Sequence, residues 1–155
     1  MKLCLKMLLV SVLATSVASV SHADPAEDAI DARRGFYQVV KHNMGGLAAM
    51  AKGDVDYDAK QAAIYAKNLE MLTQMDNATM WIAGTSNEDM PGKTRALPEI
   101  WSTYPDIVEK SKAWKEAVAK LAGTAGNGLD ALRGDIRAVG QSCKGCHDDF
   151  RAKDF

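Results

Sequence analysis

The sequence predicts an all-α protein built as an antiparallel four-helix bundle. Three observations carry the prediction. Apolar residues recur at intervals of three and four along four long segments, the spacing of a helix face. The alternation that marks half-buried strands is nearly absent. Short breaks rich in glycine separate the segments, apart from one long connection that holds four of the chain's punctuating glycines and prolines and ends on a fifth.

The chain has 155 residues and three cysteines. Residues 1–23, MKLCLKMLLVSVLATSVASVSHA, read as a secretory signal peptide. Lys2 and Lys6 supply the basic start, Met7 to Ala14 the apolar run, and Ser21-His22-Ala23 a small-x-small site, so cleavage is expected after Ala23. The apolar run is too short to span a bilayer, and no membrane insertion is expected once it is removed. Cys4 precedes that run and so cannot be a lipid-bearing cysteine that follows it. The remaining residues, 24–155, number 132, enough for one domain. Two of the 19 basic side chains leave with the leader, so 17 face 20 acidic ones, a formal charge of −3. No basic patch interleaved with aromatics is present, so no nucleic-acid partner is expected.

The first helix opens at Asp24-Pro25, with Glu27 and Asp28 in a first turn that favours acidic side chains, and runs to about Ala51 before Gly53-Asp54. Its stripe is Ile30, Arg33, Tyr37, Val40, Met44, Leu47 and Ala51, with Phe36 off the stripe and available to another helix. The second helix is expected from Asp58 to about Trp81, with Ala62, Tyr65 or Ala66, Leu69, Leu72 and Met75 inward. Met71, Met75 and Met80 read as core filler. Residues 83–105 should form a loop, long for a compact domain and therefore of functional interest. Trp81 and Trp101 are expected to pack at the bundle end. The third helix follows Pro105, with Asp106 in its first turn, and ends near Leu121 or Ala122; its stripe is Ile107, Ser111, Trp114, Val118 and Leu121. GTAGNG, 123–128, is a turn. The fourth helix, from Leu129 to about Arg151, carries Leu129, Leu132, Ile136, Val139, Cys143, Cys146 and Phe150 at steps of three and four.

Two cysteines thus stand on a core-facing stripe, in CKGCH at 143–147. Three chemistries use such residues. Structural zinc wants four ligands, and beyond Cys143, Cys146 and His147 only His42 or a carboxylate is left. A redox CxxC normally opens a helix in a βαβ setting, where the helix terminus activates a thiolate; here it lies late in a helix. Attachment of c-type haem needs this spacing: residues i and i+3 share a helix face, so two sulfurs can add to the two vinyl groups of one porphyrin edge, and His147 can ligate the iron. Only DDFRAKDF follows His147, without a methionine, so the other face of the haem must be covered by an earlier helix. Arg33, charged on an inward stripe, suits a haem propionate, because a guanidinium grips a carboxylate through two parallel bonds; Arg34 could assist.

Taken together, AEDAIDARRGFYQVVKHNMG, LPEIWS and AVGQSCKGCHDDFR resemble the corresponding segments of the cytochromes c prime, the class II c-type cytochromes. The resemblance covers the whole of 24–155. It implies a periplasmic four-helix bundle, usually a homodimer, with one haem c bound through Cys143 and Cys146 and ligated by His147. By the same resemblance Arg33 contacts a propionate, Arg95 lies where some relatives bring a loop residue near a propionate, and Arg151 stands beside the histidine face. Tyr37 falls where family members place the side chain over the open iron face. That residue is a methionine in six-coordinate relatives. A tyrosine there implies five-coordinate, high-spin iron that binds nitric oxide or carbon monoxide, with nitric oxide sequestration as a role and electron transfer to periplasmic redox partners as a capability. Ligation by Met44, two turns on, would instead give a six-coordinate electron carrier. No catalytic carboxylate pair or nucleophile constellation is legible, so no enzymatic activity is expected.

Overall fold

The computed structural model describes residues 24–155; the signal-peptide reading, Cys4 included, falls on residues 1–23, outside the described residues. Helix α1 spans Pro25–Lys52, α2 Ala59–Gln74, α3 Glu99–Ser102, α4 Tyr104–Thr124 and α5 Leu129–Phe150, with a 3-10 turn at Ala78–Met80 between α2 and α3. The four long helices close a ring in which α1 touches α2, α2 touches α4, α4 touches α5 and α5 returns to α1. Among the described residues none of these helices is long and apolar enough to cross a membrane.

The ends of the helices are set by local chemistry. Asp24 caps α1 by accepting from the N–H of Ala26 at 2.9 Å, and Asp58 caps α2 by accepting from Gln61 at 2.8 Å; each such cap contributes about 1 kcal/mol. Gly53 ends α1 at φ +85°, a conformation that glycine adopts freely. The second helix stops at Gln74, seven residues before the Trp81 expected from the sequence. Met75 turns extended, and Asp76 accepts from the N–H of Ala78 at 3.1 Å, so a side chain takes over a backbone donor and starts a different turn. The third long helix begins at Tyr104, so that Pro105 lies inside its first turn instead of before it, and it stands behind a one-turn α3 within the stretch expected to be loop.

The antiparallel arrangement is visible at the closed end of the bundle. The Tyr57 hydroxyl, just before α2, donates to Ala125 O at 2.9 Å and accepts from Gly128 N at 2.9 Å, after α4. Arg133, early in α5, donates from Nε to Ala51 O at 2.8 Å, at the end of α1. Leu47, Ala62, Ala66, Leu69, Val118, Leu121, Leu132 and Val139 form the fully buried core between these helices. Phe36, off the α1 stripe, is buried and meets Trp114 of α4 edge-on at 6.4 Å. Met71 and Met75 depart from the expected core role: they are 53% and 40% exposed, Met71 within α2 and Met75 just past its end, where the chain turns extended.

The opposite end is finished by residues 78–103. Arg33 donates to Thr85 Oγ1 at 2.8 Å and to Thr85 O at 3.0 Å, and Lys93 pairs with Glu27 at 2.9 Å, tying the connection to α1. Leu97 N donates to Phe150 O at 3.1 Å and Ala152 N to Arg95 O at 2.8 Å, tying it to the end of α5. Trp81 and Trp101 pack there with ring centres 6.3 Å apart, as expected, and Trp101 Nε1 donates to Trp81 O at 3.0 Å.

Candidate functional site

The finished end of the bundle carries CKGCH on α5. Cys143 and Cys146 lie one turn apart, are half-buried and are free thiols. Cys143 packs against the edge of the apolar core. Burial pushes both thiols up from their ordinary range, the neighbouring Cys143 adds to the effect at Cys146, and Lys110 of α4 opposes it there. Lys110 itself pairs with Asp149 at 2.7 Å, so α4 braces the motif through a residue that its stripe gave no reason to single out.

Tyr37 of α1 faces this pair. Burial pushes its phenol up to about 12, with Cys146 and then Cys143 adding to the shift and Arg33 opposing it. By surface area the residue is nevertheless 45% exposed, so it is only partly covered by its neighbours. Phe36 and Trp81 hold it edge-on at 5.1 and 6.5 Å. Met44 is half-buried against the core cluster.

His147 is exposed, and Arg151 Nη1 stands 3.5 Å from its Nδ1, leaving Nε2 without a partner among the described residues. Burial of the ring, then Arg151 and Arg95, lower its pKa, which keeps the imidazole neutral and able to ligate a metal. No group of three or more His, Cys, Asp or Glu side chains converges among the described residues to hold a metal ion unaided.

The arginines divide. Arg33 is buried, with its guanidinium carbon 4.7 Å from the Trp81 ring centre. Two of its five N–H groups serve Thr85, which leaves three for a carboxylate. Thr85 is itself fully buried, and nothing in the sequence singled it out. Arg95 is brought to the His147 side by the pairing of residues 95–97 with 150–152. Arg34 is not brought in: it is exposed and lies 3.8 Å from Asp31 on its own helix.

These residues fit a covalent haem. Two sulfurs one turn apart stand ready for two thioether bonds, an imidazole offers a free Nε2, and a partly exposed tyrosine on α1 is coupled electrostatically to the sulfurs. Cations lacking carboxylate partners, among them Arg95 with a buried and unbonded Nε, match the two propionates.

Comparison with known proteins agrees with the geometry. A family model described as Cytochrome C' matches residues 28–151. A cytochrome c' of Cereibacter sphaeroides is 40% identical over 148 residues, covering 96% of this chain and 98% of the relative. A solved cytochrome c' from a Rhodobacter superposes with a TM-score of 0.81 at 43% identity, covering 84% of this chain and 99% of that one. Variants of cytochrome c prime from Alcaligenes xylosoxidans have been solved with nitric oxide and with carbon monoxide; they share 31% and 32% identity, cover 86% and 84% of this chain and 99% and 98% of theirs, and each has a TM-score of 0.72.

Proposed function

This chain belongs to the cytochrome c' family and carries one covalent c-type haem near its C-terminus, and from that premise we propose that it is a periplasmic gas-binding haem protein with five-coordinate, high-spin iron. Cys143 and Cys146 hold the porphyrin, His147 ligates the iron, and Tyr37 covers the opposite face. The bound haem supplies an iron able to take a small uncharged ligand; the protein decides what reaches it. What supports the reading is Tyr37, whose phenol is pushed up to about 12 by burial and then by Cys146 and Cys143, as suits a neutral side chain over the open iron face. A neutral phenol at pH 7 blocks that face without binding the iron. Apolar Phe36 beside it favours nitric oxide and carbon monoxide over ligands that depend on polar donors. The Alcaligenes xylosoxidans relative, solved with each of these gases, supports the choice.

Sequestration of nitric oxide is the role we assign, with electron exchange with periplasmic redox partners secondary and no catalytic turnover. The leader read in residues 1–23 supports the compartment. We also assign a homodimer joined through the outer faces of α1 and α2, where Val39 and Ile64 are 48% and 44% exposed. Optical spectra of the purified ferric and ferrous protein test the central claim. Broad high-spin ferrous bands are expected; a sharp pair of low-spin visible bands would replace the gas-binding reading with a six-coordinate electron carrier.

A further inference from the structure

The turn that joins α4 to α5 holds the chain's only asparagine followed by a glycine. The five asparagines precede Met44, Leu69, Ala78, Glu88 and Gly128. Asn43 and Asn68 lie inside α1 and α2, where the amide of the next residue is committed to the helix ladder. Asn127 is exposed and lies between two helices. Gly128 stands at φ +124°, a conformation open to glycine and to few other residues. No atom beyond its two neighbours comes within 4 Å of the place a Cβ would take, so that side of its backbone is open.

An asparagine in this setting is chemically labile. Once its proton has passed to a solvent base, the amide nitrogen of Gly128 can attack Cγ of Asn127. The new N–Cγ bond closes a five-membered succinimide, and the Cγ–Nδ2 bond breaks to release ammonia. Water then opens the ring at either carbonyl and leaves aspartate or isoaspartate. One water is taken up, one ammonia is lost, and no electrons are transferred.

Both reacting groups are nevertheless held. Gly128 N–H donates to the Tyr57 hydroxyl at 2.9 Å, and that hydroxyl donates in turn to Ala125 O at 2.9 Å. With its own proton spent on Ala125, the phenol turns a lone pair toward Gly128 and favours the protonated amide, the form that cannot attack. Asn127 Nδ2 donates to Gly123 O at 3.2 Å, and Asn127 N to Thr124 O at 2.9 Å. Tyr57 is itself fixed, packed half-buried against the core. Attack requires a local opening that breaks the Gly128 and Nδ2 bonds together, and its rate follows the population of that open form.

We propose that Asn127 is a site of spontaneous conversion to aspartate and isoaspartate, and that Tyr57 sets the rate by holding the Gly128 amide. Isoaspartate lengthens the main chain between 127 and 128 by one methylene, which moves the amide off the Tyr57 hydroxyl. The start of α5 has no side-chain cap to replace that bond among the described residues, so its first turn frays. The site lies at the bundle end away from CKGCH and does not depend on the coordination or ligand of the iron.

The test is an isoaspartate assay on holoprotein aged in mildly alkaline buffer. Protein-isoaspartate methyltransferase adds a labelled methyl group to the product, and peptide mass spectrometry locates it. Label should accumulate at residue 127 and be absent in Asn127→Gln. Tyr57→Phe should age about 3- to 10-fold faster, the effect of losing one or two ordinary hydrogen bonds. Gly46→Ala, which disturbs the α1–α2 face and leaves the turn intact, should age at the wild-type rate, separating the guard from general loss of stability. Wild type unfolded in urea should age faster than folded wild type, a comparison that needs no variant to fold. Absence of label in both wild type and Tyr57→Phe overturns the proposal, as does label that persists in Asn127→Gln. So do equal rates in wild type and Tyr57→Phe, in Gly46→Ala and Tyr57→Phe, or in folded and unfolded wild type.

Discussion

The ring of Tyr65 on α2 lies so close to Gly46 on α1 that a Cβ placed there would stand 2.4 Å from Cε2 and 2.6 Å from Cζ. The missing side chain lets the two helices meet through one aromatic ring, and beside it a shallow groove is lined by Gln38, Lys41, His42 and Gly45. His42 completes the contact edge-on at 6.0 Å from Tyr65.

Gly46→Ala should therefore destabilise the fold, although alanine is the better helix former by about 1 kcal/mol. Overpacking costs about 1–3 kcal/mol, and the ring must swing outward to relieve it. Urea unfolding should report a net loss on the order of 1 kcal/mol. If the α1–α2 face joins two copies, sedimentation should show weaker self-association in the same variant, because the displaced ring stands in the groove.

Tyr37→Ala should open the iron face. Ferrous carbon monoxide affinity is expected to rise about tenfold or more, which corresponds to about 1.4 kcal/mol of relieved crowding. Tyr37→Phe should change it little, since the phenol is neutral and serves as bulk. Carbon monoxide titration of the reduced protein compares the three; equal affinities would mean that the ring does not guard the iron.

Arg33→Gln removes two charge-assisted bonds to Thr85 and the contact with Trp81. Hydrogen bonds from charged groups contribute about 1.5–3 kcal/mol, and a cation over an aromatic ring about 0.5–2 kcal/mol. A loss of about 2–3 kcal/mol is expected by denaturant unfolding. Amide exchange should quicken through residues 81–90 before it does in the long helices.

Asp135 gives the pH dependence. It is 9% exposed, accepts from Thr124 Oγ1 at 2.6 Å and pairs with Lys120 at 2.8 Å, clamping the end of α4 to α5. Lys120 and then Thr124 hold its carboxyl below the ordinary 3.8. Because the folded value is depressed, the stabilisation is present in full above the ordinary value and is lost as the pH falls through the folded one. Asp135→Asn should cost about 1–2 kcal/mol at pH 7. The gap between wild type and variant should stay constant down to about pH 5 and close below about pH 4 in a series of unfolding curves.

The long helices were legible because their periodicity reports burial directly. Ile30, Arg33, Val40 and Leu47 on α1 and Leu132, Val139 and Phe150 on α5 are buried as their spacing requires. So was CKGCH, where the spacing is the chemistry. The end of α2 was not, because competition between Asp76 and the helix for the N–H of Ala78 is invisible to a hydrophobic pattern. Nor was the role of Thr85, whose importance depends on a partner 52 positions away. Arg95 was placed near the haem by resemblance, but which side it serves follows from a backbone pairing with Ala152 that no local signal announces.

The connection between α2 and α4 is fastened at both ends, to Arg33 through Thr85 and to the close of α5 through residues 95–97. Between the fastenings Glu88, Asp89, Pro91 and Gly92 are exposed, and Gly92 turns at φ +75°. Such a tether has one exposed turn between two anchored ends. A protein engineer seeking to graft a reporter peptide beside the cofactor has a natural point of entry between Pro91 and Gly92, whereas extra residues inserted at 84–86 or 95–97 would detune Tyr37's surroundings or His147's, according to which knot they slip.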